Sequence, residues 1–397
     1  MRIHIIGTGI GLNGLTKAGE QLIAAAELII GSPRLVESLA NGRESVVASR
    51  PEEVIAAIEG AETESIAVLV SGDVGFYSGA TKVSSWVKQN IPDAELRLIP
   101  GVSTVAALAA RVGVPWQDAY LMSCHATDVD VVSPVRRHRH TILLTGGNVS
   151  AVASSLSEAG YGGLRVWVGQ DLGLDSESVV ECAIGEVMGQ SLSSLTALLI
   201  ENPASDDRVL SGLPDEQFLR GSVPMTKSVI RAVSLARLGV KPTDICFDIG
   251  CGTGSVSVEL ALAAYSGHVY SVDKNPEAIS LTRKNCREFH IGNTTVIEGT
   301  APEAMAGWPA PDVVFIGGTT GSMQSIVDAV VALNASVRIA ITTIAIESTS
   351  AALDALTSAG LVPQITQVNV SEGKAVGGLH LLTALNPVTI ITGGPDG

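Results

Sequence analysis

A strand that ends in a glycine-rich turn constrains the fold of this chain more than any other segment. Residues 245–249 are apolar apart from Asp248, and glycines follow at positions 250, 252 and 254. Glycine lets the backbone turn sharply and approach a bound molecule closely. The pattern predicts a buried strand, a tight turn and a helix that begins near Ser255. Such units build α/β proteins, which bind ligands at the carboxyl ends of parallel strands.

The turn and the next acidic strand end indicate the ligand. Asp273 closes the following predicted strand, where a carboxylate can accept hydrogen bonds from both ribose hydroxyls of an adenosine. A dinucleotide fingerprint, G-x-G-x-x-G, requires glycine at position 255, which is serine here. The segment instead reads D-x-G-x-G-T-G, the first motif of class I S-adenosylmethionine methyltransferases, with Asp248 near the cationic end of the cofactor. A dinucleotide enzyme and a purely structural turn stay open as alternatives.

Other motifs of the second half extend this interpretation. Gly299–Glu303 and the paired glycines Gly317-Gly318 follow later strands, Thr226 occupies an N-cap position before a helix, and residues 384–388 lie near the C-terminus. Together these motifs resemble the decarboxylating precorrin methyltransferase family over the whole second half. The resemblance implies a class I (Rossmann-like) fold that methylates carbon 15 of a tetrapyrrole and removes carbon dioxide from an acetate side chain. It implies cofactor binding by Thr226, Gly250, Cys251, Gly252, Thr253, Gly254, Asp273, Thr300 and Ala301.

Catalytic residues are marked less clearly than the cofactor site. The family often has Asn-Ala-x-Thr-x-Glu in the fifth strand, whereas residues 342–347 here keep only the acid, Glu347. Methyl transfer from a sulfonium to a nucleophilic ring carbon needs alignment and exclusion of water more than a strong base. We hypothesise that Asp248, Glu303 or Glu347 helps to order the second site.

The first half has its own series of glycine loops after predicted strands. They are Ile5–Gly11, Val70–Tyr77, Ile99–Thr104 and Leu143–Gly147, with Leu121–His125 between the last two. The first loop alone is as consistent with a structural turn, but the ordered set resembles the tetrapyrrole methylase family over residues 1–205. That resemblance implies a two-lobed α/β fold that binds S-adenosylmethionine between its lobes and methylates carbon 5. It places Gly9, Asp73, Gly75, Phe76, Ser103, Thr104 and Met122 around the cofactor.

Substrate contacts in the first half are suggested by one histidine and one basic run. The family often has Ser-x-His-Gly-Arg where residues 123–127 keep the histidine, His125, and lose the arginine. His125 either acts on the substrate or is an ordinary loop histidine. Arg136, Arg137 and Arg139 form the densest basic run of the chain. They either dock macrocycle carboxylates through charge-assisted hydrogen bonds or lie in a solvated loop.

Composition supports two domains rather than one. The 397 residues exceed one ordinary core, and 46% are hydrophobic while only 16% are charged. Short apolar runs, among them the candidate strands Ile3–Ile6, Glu95–Ile99 and Thr294–Glu298, alternate with helical patterns. This alternation predicts parallel sheets covered by helices. A proline-rich, charged stretch at 206–223 is interpreted as a linker between domains at 1–205 and 224–397, with a secondary boundary near Pro115.

Charge, cysteines and apolar runs limit the partners. A net charge of −15 argues against a nucleic-acid partner. The five cysteines lack C-x-x-C spacing, so we predict no metal site and free thiols in a reducing cytoplasm. No uncharged apolar run reaches the roughly 20 residues that cross a bilayer, and no membrane partner is expected.

The two resemblances combined imply an enzyme of cobalamin biosynthesis. They imply a precorrin substrate methylated at carbons 5 and 15 with decarboxylation, which gives precorrin-8x, and a homo-oligomer because relatives of both halves self-associate. Two alternatives stay open. Only the second half is catalytic while the first binds tetrapyrrole, or the second half is a class I methyltransferase for another small molecule, a nucleic acid or a protein.

Overall fold

The computed structural model describes residues 1–11, 14–124, 129–206, 211–318 and 321–394. Its contacts divide the chain into two compact units. The first unit consists of residues 1–129, 138–154 and 162–205, and the second of residues 130–137, 155–161 and 206–397.

The first unit begins with a fully parallel five-stranded sheet in the order β3-β2-β4-β1-β5. The inner strands are buried on both faces because helices cover them, and they are accordingly rich in isoleucine and valine. The strands are β1 (Arg2–Gly7), β2 (Leu28–Gly31), β3 (Glu44–Val47), β4 (Ser65–Val70) and β5 (Glu95–Ile99). The helices are α1 (Lys17–Ala25), α2 (Pro33–Leu39), α3 (Pro51–Glu59), α4 (Ala80–Asn90) and α5 (Thr104–Val112).

A second five-stranded sheet, in the order β6-β7-β10-β8-β9, is mostly antiparallel. Only β6 and β7 run parallel, so the sequence-based expectation of parallel sheets was wrong here. The connection from β8 to β9 is too short for the crossover that a parallel pair requires. The strands are β6 (Tyr120–Ser123), β7 (His140–Leu144), β8 (Arg165–Gln170), β9 (Ser178–Ala183) and β10 (Thr196–Glu201), and the same stretch forms helices α6 (Val132–Arg137) and α7 (Val149–Glu158).

The second unit is built on a seven-stranded sheet in the order β13-β12-β11-β14-β15-β19-β16. Five neighbouring strands are parallel, and β19 runs antiparallel to both of its neighbours. The strands are β11 (Ile245–Ile249), β12 (His268–Asp273), β13 (Thr294–Glu298), β14 (Val313–Ile316), β15 (Arg338–Thr343), β16 (Val362–Val368) and, after two further strands, β19 (Val388–Gly394). The helices are α8 (Ser228–Leu238), α9 (Ser255–Ala263), α10 (Pro276–Glu288), α11 (Met323–Leu333) and α12 (Ile346–Ser358).

A separate hairpin consists of β17 (Ser371–Val376) and β18 (Leu379–Ala384). Every residue of both strands is exposed, including apolar side chains such as Leu379 and Leu382. An isolated two-stranded hairpin is only marginally stable in water. This hairpin therefore lacks, within the described residues, the covered face that would stabilise it.

The start of α8 differs from the sequence-based expectation. Thr226 was expected to cap this helix, but the N-cap residue is Lys227, and its side chain makes no capping hydrogen bond. Instead Oδ1 of Asp215 accepts the backbone N–H of Ser228 at 3.0 Å. A carboxylate from the preceding segment thus satisfies one of the free N–H groups at the start of the helix.

The described part of the predicted linker packs on the second unit. Leu213 and Phe218 are buried in its core. The backbone of Leu219 exchanges hydrogen bonds with the side-chain amide of Asn285, at 2.7 and 3.0 Å. Residues 211–219 therefore contribute to the packing of this unit.

Candidate functional sites

The first candidate site lies where β1, β4 and β5 end. The loops after these strands approach each other through backbone atoms, and Gly9 and Gly72 form a β-bridge. A Cβ on Gly101 would lie 2.5 Å from both the oxygen of Gly72 and the nitrogen of Gly9, so a side chain cannot be accommodated there. The three loops therefore pack as closely as their glycines allow.

A cavity of about 290 Å³ opens beside these loops. Its walls come from the strand-end loops of the first sheet and from the loops of the second sheet. The lining residues are Gly9, Ile10, Gly11, Arg34, Ser71, Gly72, Asp73, Phe76, Tyr77, Ser103, Thr104, Leu144, Thr145, Gly146, Leu172, Leu174, Ser194, Leu195 and Thr196.

The carboxylate of Asp73 ties two of these loops together. Its Oδ1 accepts the N–H of Gly75 at 2.8 Å, and its Oδ2 accepts the N–H of Gly101 at 3.2 Å. Each oxygen keeps a second lone pair. Asp73 thus shapes the cavity wall and can still accept hydrogen bonds from a ligand.

Most of the first-half residues that the resemblance implied lie on this cavity, and two do not. Gly9, Asp73, Phe76, Ser103 and Thr104 line it. Gly75 donates its backbone N–H to Asp73 and does not line the cavity, and Met122 is buried within β6. The sequence interpretation missed Arg34 and Tyr77. Arg34 follows the short strand β2, for which no strand was predicted, so no motif pointed to it.

The second candidate site lies at the carboxyl ends of β11, β12 and β14. A cavity of about 300 Å³ is lined by Val223, Pro224, Thr226, Ile249, Gly250, Cys251, Gly252, Val272, Asp273, Lys274, Asn275, Gly299, Thr300, Ala301, Gly317, Gly318 and Ile326. Gly252 has a φ of +56°, and a Cβ there would lie 2.8 Å from the oxygen of Pro224. Only glycine fits this position without strain.

In this site the carboxylate of Asp273 joins two loops by hydrogen bonds, as the carboxylate of Asp73 does in the first site. Its Oδ2 accepts the N–H of Gly252 at 3.0 Å, and its Oδ1 accepts the N–H of Asn275 at 2.9 Å. Both oxygens retain a lone pair directed elsewhere. One carboxylate therefore fixes the glycine turn and remains able to accept hydrogen bonds from two hydroxyls.

Seven of the nine cofactor residues implied for the second half line this cavity. They are Thr226, Gly250, Cys251, Gly252, Asp273, Thr300 and Ala301. Thr253 is buried, with its backbone oxygen accepting a hydrogen bond from the Asn285 side chain, and Gly254 is the N-cap residue of α9. These two residues shape the turn and do not line the cavity wall.

Asp248 is buried beneath the turn and does not line the cavity. The side chain is completely buried, and its Oδ2 accepts a hydrogen bond from the hydroxyl of Ser257, which in turn accepts one from Ser271. Burial raises the pKa of Asp248 to about 7, and the Ser257 hydrogen bond opposes this shift. Its Oδ1 has no hydrogen-bond partner among the described residues.

The remaining catalytic candidates do not meet in this site. Glu303 and Glu347 are exposed, and neither lines the cavity. His125 lies outside the described residues. The roles proposed for these three residues stay predictions.

The basic run is spread over different environments. Arg136 is buried, which lowers its pKa, and it donates to the oxygen of Asp206 at 3.4 Å. The guanidinium of Arg137 lies 3.6 Å from the ring centre of Tyr265. Arg139 is 3.3 Å from the carboxylate of Glu201. None of these arginines lines the cavity of the first unit, and their substrate role stays a prediction.

A larger cavity, of about 710 Å³, adjoins the second site. The two share Pro224, Thr226, Gly317 and Gly318 as lining residues. Its other walls come from the start of α8, the end of β15 and the segment before β19, and most are apolar. This pair of cavities provides a small ligand site that borders a site for a larger ligand.

A buried ionic network supports the segment that separates these cavities. The Arg231 guanidinium is wholly buried and contacts Glu259 at 2.7 Å and Asp215 at 2.9 Å. It also donates to the backbone oxygen of Thr226. Glu259 accepts the N–H groups of Gly212 and Leu213 at 2.8 and 3.0 Å. The network thereby joins the linker, α8, α9 and the cavity wall.

The described residues contain no group of three or more His, Cys, Asp or Glu side chains arranged to hold a metal ion. Among them no helix has both the length and the apolar character that crossing a membrane would demand.

Comparison with known proteins assigns the family. A family model described as "Precorrin methyltransferase domain" matches residues 217–393, and one described as "Tetrapyrrole (Corrin/Porphyrin) Methylases" matches residues 2–188. A "Probable cobalt-precorrin-6B C(15)-methyltransferase (decarboxylating)" from Pyrobaculum calidifontis is 41% identical over 184 residues, which cover 46% of this chain and 94% of that relative. The chain belongs to the precorrin methyltransferases. It joins a tetrapyrrole methylase domain and a precorrin methyltransferase domain.

One precorrin methyltransferase is similar to nearly the whole chain. The "Precorrin-6Y C(5,15)-methyltransferase [decarboxylating]" of a Sinorhizobium species is 29% identical over 401 aligned residues, covering 98% of this chain and 95% of that relative. Among solved structures, a "Precorrin-6y C5,15-methyltransferase" from Geobacter metallireducens is 31% identical over 47% of this chain and 98% of its own, with a TM-score of 0.45. A "Precorrin-6Y Methylase" from Archaeoglobus fulgidus is 21% identical over 51% and 98%, with a TM-score of 0.41.

Proposed function

We propose that this chain methylates a precorrin at carbons 5 and 15 and decarboxylates one acetate side chain, giving precorrin-8x in cobalamin biosynthesis. The observation that carries the proposal is the presence of two glycine-walled cavities in one chain. The first is lined mostly, and the second entirely, by residues of a stretch that matches a methyltransferase family model, a different one for each cavity. The name of the Sinorhizobium relative, which aligns over both halves, supports the same pair of reactions.

The residues of both cavities suit S-adenosylmethionine. Each cavity is near the lower end of the size range for small-molecule sites. In the second, Asp273 has free lone pairs for the ribose hydroxyls, and Thr300 and Ala301 are available to flank the adenine. In the first, Asp73 offers equivalent acceptors, with Ser103 and Thr104 beside it. The bound cofactor supplies a methyl group activated by its sulfonium.

The protein contributes mainly alignment and exclusion of water. Glycine backbones allow the cofactor to lie against the strand ends, so its reactive end can face a neighbouring ligand. In the second unit we assign the macrocycle to the adjoining 710 Å³ cavity. Its mostly apolar walls disfavour a buried carboxylate, which favours loss of carbon dioxide. The electron pair of the broken C–C bond passes into the conjugated ring, and the remaining CH2 carbon then takes up a proton from solvent to become a methyl group.

Mass spectrometry tests the proposed function directly. Purified full-length protein is incubated with methyl-labelled S-adenosylmethionine and hydrogenated precorrin-6, and the product mass is recorded. We expect a gain of two labelled methyl groups and the loss of one carbon dioxide. A product with one methyl at carbon 15 and the same decarboxylation would instead show that the first half only binds tetrapyrrole, and an unchanged substrate would contradict the proposal.

We also propose that the enzyme is a cytoplasmic homo-oligomer. All five cysteines are free thiols, as expected in a reducing compartment. Exposed apolar side chains concentrate on β16, β17 and β18, namely Val362, Ile365, Val376, Leu379, Leu381 and Leu382. A second copy of the chain, meeting the same strands, would cover them.

A further inference from the structure

The cavity of the first unit contains one arginine that no motif predicted. Arg34 stands near the start of α2, and its Nη2 donates to the hydroxyl of Ser71 at 3.3 Å. Ser71 directly follows β4 and also lines the cavity. Arg34 lines a second, smaller cavity of about 200 Å³ as well, together with Gly9 and Gly11. Arg34 is exposed, and this hydrogen bond places its guanidinium at the strand ends where the glycine loops meet.

Arg34 has no carboxylate partner among the described residues. Arg50, Arg97 and Arg111 of the first unit each contact a glutamate, whereas Arg2 and Arg43 resemble Arg34 in forming no ion pair with a described residue. A guanidinium carries five N–H donors, and described residues accept only one from Arg34. Among the described lining residues Arg34 is the only cation, although the whole chain carries a net charge of −15. Its position at the cavity, which Arg2 and Arg43 do not share, makes Arg34 available to an anionic ligand.

Tyr77 adds a flat apolar surface to the same cavity. Its φ of +45° lies in the left-handed region, which a bulky residue rarely adopts. The side chain is 63% exposed and meets the Phe76 ring edge to face. Backbone strain of this kind concentrates at ligand sites. The cavity therefore combines an exposed aromatic ring with a guanidinium that has no carboxylate partner among the described residues. The planar donors of a guanidinium match a carboxylate.

We propose that Arg34 binds a carboxylate of the ligand in the first unit and so determines which substrates that site accepts. The inference rests on the proposed function, because two ligands there carry carboxylates. One is the amino-acid part of the cofactor, and the other is the acetate and propionate set of the macrocycle. Either contact is a charge-assisted, bidentate pair that lysine reproduces only partly.

Equilibrium titrations of the full chain test this assignment and separate the two sources. S-adenosylhomocysteine serves as the cofactor probe and uroporphyrin III, which has eight carboxylates, as the macrocycle probe. We expect Arg34→Gln to weaken one of the two affinities at least 10-fold and Arg34→Lys to weaken it less. Loss of S-adenosylhomocysteine affinity identifies the cofactor carboxylate, and loss of uroporphyrin affinity identifies the macrocycle.

The control is Arg97→Gln, which removes an exposed arginine of the same unit that is paired with Glu95. It should leave both affinities within twofold of the parent. If Arg34→Gln also leaves both within twofold, the assignment is overturned, whatever the methylation assay shows. If Arg34→Gln lowers one of the affinities but the parent protein transfers no methyl group to a precorrin, the proposed function is wrong and the assignment of Arg34 to a carboxylate is retained.

Discussion

At the scale of single residues, the two units use an aspartate in the same way. Asp73 and Asp273 each lie at the carboxyl end of a parallel strand, and each accepts two backbone N–H groups from the strand-end loops. Since the loops cannot pair within a sheet at these points, the carboxylates satisfy donors that would otherwise need water. Both cavities are thereby shaped before any ligand arrives.

Gly252→Ala tests the importance of the second loop. The substitution places a methyl group 2.8 Å from the oxygen of Pro224 at a φ of +56°, which costs about 1–3 kcal/mol. We expect the affinity of the second site for S-adenosylhomocysteine to fall about 10- to 100-fold. Calorimetry measures the change, and Gly373→Ala, where a Cβ meets no atom, is the control. Unchanged binding would show that the loop does not contact the cofactor.

The raised pKa of Asp248 predicts that the stability of the folded protein depends on pH. Its pKa is raised from 3.8 to about 7 by burial, so the folded state holds a proton that the unfolded state releases. This group therefore makes the protein less stable as pH rises from about 4 to 7, by on the order of 4 kcal/mol at most. Asp248→Asn does not titrate, so its stability relative to the parent should improve over that interval.

Thermal unfolding at several pH values between 4 and 8 measures this difference. Asp328→Asn, which changes an exposed acid on α11, provides the matched control. Parallel curves for Asp248→Asn and the parent protein would show that Asp248 does not titrate in this range.

At the scale of elements, the positions of strands were easier to predict from sequence than the pairing of those strands within a sheet. Apolar runs such as Glu95–Ile99 and Thr294–Glu298 agree with strands in the structure to the residue. Two kinds of strand gave no comparable pattern: β2 is fully buried but only four residues long, and β17 and β18 are exposed at every residue. The antiparallel pairing of the second sheet depends on contacts distant in sequence, which periodicity does not report.

The same limit applies to the candidate sites. Tight turns can be recognised in the sequence because few residues other than glycine fit them. The positions of Gly9, Gly250 and Gly252 on the cavity walls could therefore be predicted. The position of Arg34 on the cavity could not be predicted, because it is an isolated arginine outside any motif and the strand before it was not predicted either. The substrate role of the basic run stays a prediction, and the burial of Arg136 could not be foreseen because charge density in sequence does not reveal burial.

Arg231→Met tests whether the ionic network holds the linker on the second unit. The variant leaves Glu259 buried without its cation, which should cost about 3–5 kcal/mol. Hydrogen exchange should rise in residues 211–219, and the unfolding temperature should fall. The double variant Arg231→Met/Glu259→Gln should recover part of the stability, because no unpaired charge remains. Arg237→Met, an exposed position on α8, is the control, and an equal effect there would refute the network's role.

At the scale of the whole molecule, the proposed self-association rests on the exposed hairpin. Leu379 and Leu382 are 69% and 78% exposed, which is unfavourable unless another chain covers them. We expect the parent protein to be oligomeric by light scattering and Leu379→Asp/Leu382→Asp to be monomeric with unchanged helical content. Lys88→Asp, on α4, should keep the parent's mass. A monomeric parent would exclude the proposed homo-oligomer.

The division of labour between two methyl-transfer sites is the central claim, and the stoichiometry of cofactor binding tests it most directly. Isothermal titration of the full chain with S-adenosylhomocysteine should give two equivalents per chain. Gly252→Val, which fills the turn beside Asp273, should reduce this to one. A single equivalent in the parent protein would contradict the account, because only one of the two cavities would then hold a methyl donor.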